Sequence, residues 1–166
     1  MATGENTIIY VMGVSGSGKS TIGKALAFHL GIPFADGDDF HPPENVEKMA
    51  AGHPLDDEDR RDWLLAIHTF AKKHALRKGI VIACSALKQK YREQLTVGMY
   101  PWVKWVYLQG DYEVILQRMQ ARRGHFMPGA LLQSQFDTLE EPVRAITVSI
   151  LKSPQLIVKE ILRQLT

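Results

Sequence analysis

The stretch GVSGSGKST, residues 13–21, follows directly on the apolar run TIIYVM and runs into KSTIGKALAFHL, a segment of helical period that Gly31 ends. Gly13 through Ser20 matches G-x-x-x-x-G-K-[ST] in full, between the strand and the helix that such a loop requires. Glycines let backbone N–H groups close around phosphate oxygens, and the helix N-terminus adds positive dipole. The candidate triphosphate cradle is Gly13, Ser15, Gly16, Ser17, Gly18, Lys19, Ser20 and Thr21. Lys19 is placed to reach the β and γ phosphates, and Ser20 to bind Mg²⁺. A chain with this loop is committed to an α/β arrangement whose first strand is buried.

The rest of the chain repeats the alternation. IPFAD (32–36), GIVIACSAL (79–87), WVKWVYLQG (102–110) and AITVSIL (145–151) read as strands rich in Ile, Val and aromatics. Between them lie a short helix from Glu44 to about Ala51 and a long amphipathic one over 56–77, opened by DDED. KQKYREQLT, DYEVILQRMQARR with Asp111 as N-cap, LLQSQFDTL, and SPQLIVKEILRQL with Ser153 as N-cap and Pro154 next to it complete the set. Five strands separated by helices predict a parallel sheet covered on both faces.

With 166 residues there is room for one domain with a sizeable core. A formal charge of +2 names neither nucleic acid nor an anionic membrane as partner. The lone Cys84 allows no internal disulfide, and MATGENT has no basic-then-apolar leader, so a cytoplasmic location is expected. The apolar runs are far below the roughly 20 residues that span a bilayer. Met99, Trp102 and Trp105 read as packing residues and Cys84 as an inert buried thiol.

A phosphate loop serves motors, regulatory GTPases and small-molecule kinases alike. GIVIACSAL carries Cys84 and Ser85 where a second metal-side acid of a motor would stand, and no N-K-x-D occurs. Attention therefore moves to DGDD, 36–39, at the carboxyl end of the second strand, the edge where open α/β sheets bind ligands. One carboxylate there can hold Mg²⁺ through water and another can take a proton from an attacking hydroxyl. A solvated acidic turn would look the same; beside a phosphate loop the functional reading is preferred. Arg118 and Arg122 share a helix face ahead of GHFMPG, a segment suited to closing over a triphosphate, although a solvated basic helix end would also fit.

GVSGSGKST, DGDDFHPPENVEKMAAGHPLDDEDRRDWL, CSALKQKYREQL and RRGHFMPGALLQSQFDTLEEP together resemble the gluconate kinases, relatives of shikimate and adenylate kinases, in order over about residues 8–142. The resemblance implies a P-loop, nucleoside-monophosphate-kinase-like three-layer sandwich in one domain, 1–166. A substrate-binding helical segment lies at about 38–78 and a mobile lid at about 122–136. It also implies ATP-dependent phosphorylation of D-gluconate at its 6-hydroxyl, with Mg²⁺, in a homodimer. Lys19, Asp38 and Arg122 are then catalytic, Ser20 and Asp36 metal-side, and Arg118 and Arg122 donor-binding. Asp38, His41, Lys48, Arg60, Lys88, Tyr91, Arg92 and His125 fall on the acceptor side. Arg92, Lys88 and His41 are the groups offered to the acceptor's carboxylate, Arg being the better fork. The alternatives are the same fold acting on another hydroxy acid such as shikimate, or a nucleotide-binding regulatory module with little turnover.

Overall fold

In the computed structural model, which describes residues 6–121 and 129–165, the five strands form one parallel sheet. They are β1 (Ile8–Met12), β2 (Phe34–Asp36), β3 (Ile80–Ala83), β4 (Val103–Gln109) and β5 (Ile146–Ser149), in the spatial order β2-β3-β1-β4-β5. β1 is central, paired with β3 from Ile8↔Ile80 to Val11↔Ala83 and with β4 from Ile8↔Val103 to Met12↔Tyr107. All of β1 is buried, as its unbroken apolar run demands of a strand covered on both faces.

The helices are α1 (Lys19–Leu30), α2 (Pro43–Ala50), α3 (Asp57–Ala75), α4 (Gln89–Thr96), α5 (Tyr112–Ala121), α6 (Gly129–Thr138) and α7 (Pro154–Leu165). Alternation along β1 sends Ile9 and Val11 to one face, and there they pack with Leu26 of α1, Ile115 of α5, Leu132 of α6 and Ile161 of α7. Ile8, Tyr10 and Met12 face the opposite way, onto Trp63 and Ile67 of α3 and Leu95 of α4. The expected three-layer sandwich is present.

Two expected strands are shorter than their apolar runs. GIVIACSAL pairs only from Ile80 to Ala83, because the chain then leaves the sheet through Ala86, held at φ 45°. IPFAD pairs only from Phe34, and a 3-10 turn, Gly37–Phe40, takes over where the sequence suggested loop. Of the packing aromatics, Met99 is buried and Trp105 stacks on Tyr10 at 4.6 Å, whereas Trp102 is partly exposed. The DDED turn does more than suit the helix dipole. Asp56 caps α3 in a reciprocal box with Asp59, accepting the Asp59 N–H at 2.8 Å while Asp59 accepts that of Asp56 at 2.9 Å.

The 3-10 turn is fixed from two sides. Trp63 Nε1 donates to the Gly37 carbonyl at 2.7 Å, and a Cβ on Gly37 would sit 2.6 Å from the Ala83 carbonyl oxygen. Gly37→Ala must therefore push the turn off β3. We expect it to lower stability by about 1–3 kcal/mol, read as a fall in the urea midpoint with an unchanged m-value. An unchanged midpoint would show that the turn is not pressed on the sheet.

Candidate active site

The phosphate loop springs from the carboxyl end of β1. Gly13 has φ 148°, and a Cβ there would lie 2.8 Å from Ser17 Oγ and 3.0 Å from the Leu108 carbonyl, so the turn admits only glycine without rearrangement. Lys19 folds back across the loop and donates to the Val14 carbonyl at 3.0 Å. The Ser17 hydroxyl is buried in the cradle and, among the described residues, has no hydrogen-bond partner.

The second strand brings its carboxylates to the same edge. Ser20 Oγ donates to Asp36 Oδ2 at 2.5 Å, and Asp36 Oδ1 accepts the Asp38 N–H at 3.0 Å. Asp36 therefore joins the start of α1 to the 3-10 turn that presents Asp38. Among the described residues no group of three His, Cys, Asp or Glu is placed to hold a metal. The Ser20–Asp36 oxygens suit instead a hard cation that keeps its waters and phosphate ligands, as Mg²⁺ does.

A cavity of about 310 Å³ opens beside them, with Lys19, Asp38, His41 and Arg60 on its walls and Trp63 and Leu87 among its apolar lining. Desolvation by the surrounding protein raises the Asp38 carboxyl above the usual range, with Asp36 and Asp39 adding to this and Lys19 opposing it. Burial pulls the Lys19 ammonium down, and Asp38 opposes that shift most strongly. Lys19 and Asp38 both line this cavity, and burial shifts each toward its neutral form.

His41 stacks on Trp63 with ring centroids 4.2 Å apart and lies 3.2 Å from Asn45 Nδ2 through its Nδ1. Asn45 is buried and also donates to the Asp59 carbonyl at 2.8 Å, tying α2 to the head of α3. Burial, and then the charge of Arg60, push His41 down to about 4. That shift favours the neutral imidazole at pH 7.

Arg60 is the cation that reaches the pocket from α3. Its Nη1 donates to the Leu55 carbonyl at 2.7 Å and to Tyr91 Oη at 3.0 Å, with the guanidinium 5.1 Å from the Tyr91 ring centre. Tyr91 in turn donates to Asp57 at 2.5 Å, so it stands behind Arg60 rather than on the cavity wall. Lys88 and Lys90 both pair with Asp57, and Lys48 pairs with Asp59 at 2.6 Å.

Arg92 differs most from the sequence expectation. It is buried and donates to the carbonyls of Ala86 at 2.7 Å and Glu140 at 2.8 Å, and to Gln89 Oε1 at 3.2 Å. A guanidinium so engaged clamps the β3–α4 loop and has no face turned to the cavity. Lys48, Lys88, Tyr91 and Arg92 are thus absent from the pocket lining that Asp38, His41 and Arg60 share.

Arg118 donates to the Ile150 carbonyl at 2.6 Å and so braces the turn into α7. Arg122 and His125 lie outside the described residues. Ser134, Gln135 and Thr138, on one face of α6, also line the cavity; they lie in the segment LLQSQFDTL but drew no individual site assignment from it. Their spacing marks one helix face, but only the fold turns that face to the site rather than to solvent.

The model of the family described as shikimate kinase matches residues 15–165. The thermosensitive gluconokinase of Escherichia coli (strain K12) is 51% identical over 84% of this chain and 73% of its own. The gluconokinase of Gluconobacter oxydans (strain 621H) is 45% identical over 93% of this chain and 89% of that protein. The chain belongs to the shikimate kinase family and, within it, to the gluconokinases. A crystal structure of a gluconokinase from Sinorhizobium meliloti 1021 superposes with a TM-score of 0.88 at 46% identity, covering 96% of this chain and 91% of that one. The α/β kinase fold expected of the gluconokinases is therefore present, and no described helix is long and apolar enough to cross a membrane.

Two outcomes follow from this geometry. Arg92→Ala strands the Ala86 and Glu140 carbonyls, so stability should fall by about 2–4 kcal/mol while the KM for the acceptor moves less than about threefold. A large KM effect without loss of stability would return Arg92 to the substrate. His41 titrates at 6.5 when unfolded and about 4 when folded, so the unfolded chain binds more protons between those values. Its contribution to stability, complete above pH 6.5, drops as pH falls toward 4. His41→Gln should flatten the stability–pH curve in that window by up to roughly one proton's slope; an unaltered slope would contradict the neutral, stacked imidazole.

Proposed function

We propose that the protein phosphorylates D-gluconate at the 6-hydroxyl, with ATP as donor, giving 6-phospho-D-gluconate and ADP. The observation that carries this is one cavity bounded by the phosphate-loop Lys19, the carboxylate of Asp38 and the guanidinium of Arg60. Identities of 45–51% to gluconokinases support the choice of acceptor.

The loop amides and Lys19 hold the donor phosphates. Ser20 and Asp36 are the residues that would hold Mg²⁺, which supplies charge neutralisation at the β and γ oxygens. Asp38 accepts a hydrogen bond from the 6-hydroxyl and orients it. The hydroxyl oxygen forms the new bond to the γ phosphorus, and the bond from that phosphorus to the β–γ bridging oxygen breaks. The hydroxyl proton passes to Asp38 and ADP leaves. A loose transition state asks more of positioning and charge than of the base.

Arg60 pairs with the gluconate carboxylate at the far end of the cavity, held in aim by Tyr91 and the Leu55 carbonyl. The apolar and aromatic walls at Trp63 and Leu87 carry the carbon chain, and His41, as a neutral imidazole, hydrogen-bonds its hydroxyls. The adenine side is the groove where Thr21 of α1 meets Pro154 and Gln155 of α7. Arg122 and His125 belong to the lid expected over about residues 122–136, whose α6 part stays docked through buried Leu132 while the part ahead of it closes on the triphosphate, and the enzyme works as a homodimer.

ADP release measured with gluconate, shikimate, other sugar acids and nucleoside monophosphates tests the assignment. Turnover should depend on gluconate; turnover with shikimate alone, or none with any acceptor, would overturn it. Asp38→Asn should cut kcat by about 10²-fold or more with ATP affinity nearly unchanged. Arg60→Ala should raise the KM for gluconate by about 10- to 100-fold. Equal loss of ATP and gluconate binding in either variant would contradict the roles given.

A further inference from the structure

α6 meets the phosphate loop through one side chain. Gln135 Oε1 accepts the Ser15 backbone N–H at 2.8 Å, and Gln135 Nε2 donates to Ser15 Oγ at 3.0 Å. The backbone N–H groups of such a loop are what grip phosphate oxygens, and here a neutral amide oxygen takes one of them. Ser134 and Thr138, on the same face of α6, line the cavity that holds Asp38 and Arg60. Gln135 thus connects the donor loop to one wall of the acceptor pocket.

The remainder of α6 is already fixed. Leu132 is buried against the core, and Phe136 packs edge-on to Tyr112 with centroids 5.7 Å apart. Just past its C-terminus, Glu140 donates its N–H to the Leu87 carbonyl at 2.8 Å, accepts the Gln89 N–H at 2.7 Å, and gives its carbonyl to Arg92. These contacts hold its base and its apolar side, and Gln135 ties the approach of its polar face to the loop. Among the described residues, the two Gln135 bonds are the hydrogen bonds that set this approach.

We propose that Gln135 is a positioning residue that registers the acceptor wall on the phosphate loop, so that the acceptor hydroxyl and the transferring phosphorus line up only while α6 is docked on Ser15. The proposal rests on the protein being a kinase of gluconate. A neutral amide is the group that fits. It accepts from an N–H and donates to a hydroxyl at once, which a carboxylate cannot, and it adds no charge beside a phosphate. Misplacement by about an ångström at such a site is enough to lose about 10²-fold in rate.

Steady-state kinetics with ATP and gluconate, together with melting temperatures, test this on the wild type, Gln135→Ala and Gln135→Glu. Gln135→Ala should lower kcat by about 10- to 100-fold, change the KM for ATP by less than about threefold, and leave the melting temperature within about 2 °C. Gln135→Glu keeps an acceptor for the Ser15 N–H and should melt like the wild type, but its charge should raise the KM for ATP about tenfold or more. A kcat of Gln135→Ala within about threefold of the wild type overturns the proposal. So does a kcat loss that tracks a lost melting temperature in both variants, which is what a scaffold role gives. An unchanged KM for ATP in Gln135→Glu overturns it too, and decides alone if Gln135→Ala does not fold. A wild type without gluconate-dependent turnover removes the functional assignment and this role with it; an active wild type with an unaffected Gln135→Ala removes the role only.

Discussion

Asp36 accepts two hydrogen bonds that hold the site together, one from the hydroxyl of Ser20 and one from the backbone of Asp38. The first comes from the helix that follows the phosphate loop, the second from the turn that carries Asp38. β1 and β2 are not neighbours in the sheet, since β3 lies between them. Asp36 adds a direct polar link to the packing of Gly23 of α1 against Phe34 of β2. The close seat of Gly37 on Ala83 and the Trp63 bond to the Gly37 carbonyl fix the same turn from beneath. Placement of Asp38 relative to Lys19 is therefore over-determined, as in-line transfer requires.

The acidic head of α3 performs a second piece of alignment. Asp57 collects Tyr91 and two lysines, Tyr91 braces Arg60, and Asp59 holds Lys48 while closing the capping box. Exposed pairs of this kind contribute little to stability one at a time. Their effect is geometric: they keep the guanidinium of Arg60 at the cavity wall, where an anionic acceptor would meet it. On the other side, Arg92 is spent on carbonyls and anchors both the β3–α4 loop and the segment after α6. Arg60 reaches the cavity wall, and Arg92 is turned to backbone carbonyls instead.

Much of this was legible in the chain itself. Apolar runs placed all five strands, and the phosphate loop, with DGDD after the second strand, placed the chemistry at one sheet edge. What escaped was decided by tertiary contact. Arg92 reads as a cation for the acceptor's carboxylate, and nothing local in KQKYREQL says that its partners are carbonyls at 86 and 140. His41 reads as a titratable ligand until it is stacked on Trp63 and shielded. LLQSQFDTL reads as a helix, but nothing local says that Gln135 meets a loop about 120 residues away. GIVIACSAL looks like one strand, but the exit at Ala86 depends on Arg92 gripping that carbonyl.

A crystal structure with gluconate and a non-hydrolysable ATP analogue tests the central claim most directly. The 6-hydroxyl should lie about 2.6–3.0 Å from an Asp38 carboxylate oxygen and in line with the γ phosphorus, with the gluconate carboxylate on Arg60. A sugar acid bound with its carboxylate on Lys88 or Arg92, or with its 6-hydroxyl out of reach of Asp38, would contradict the account.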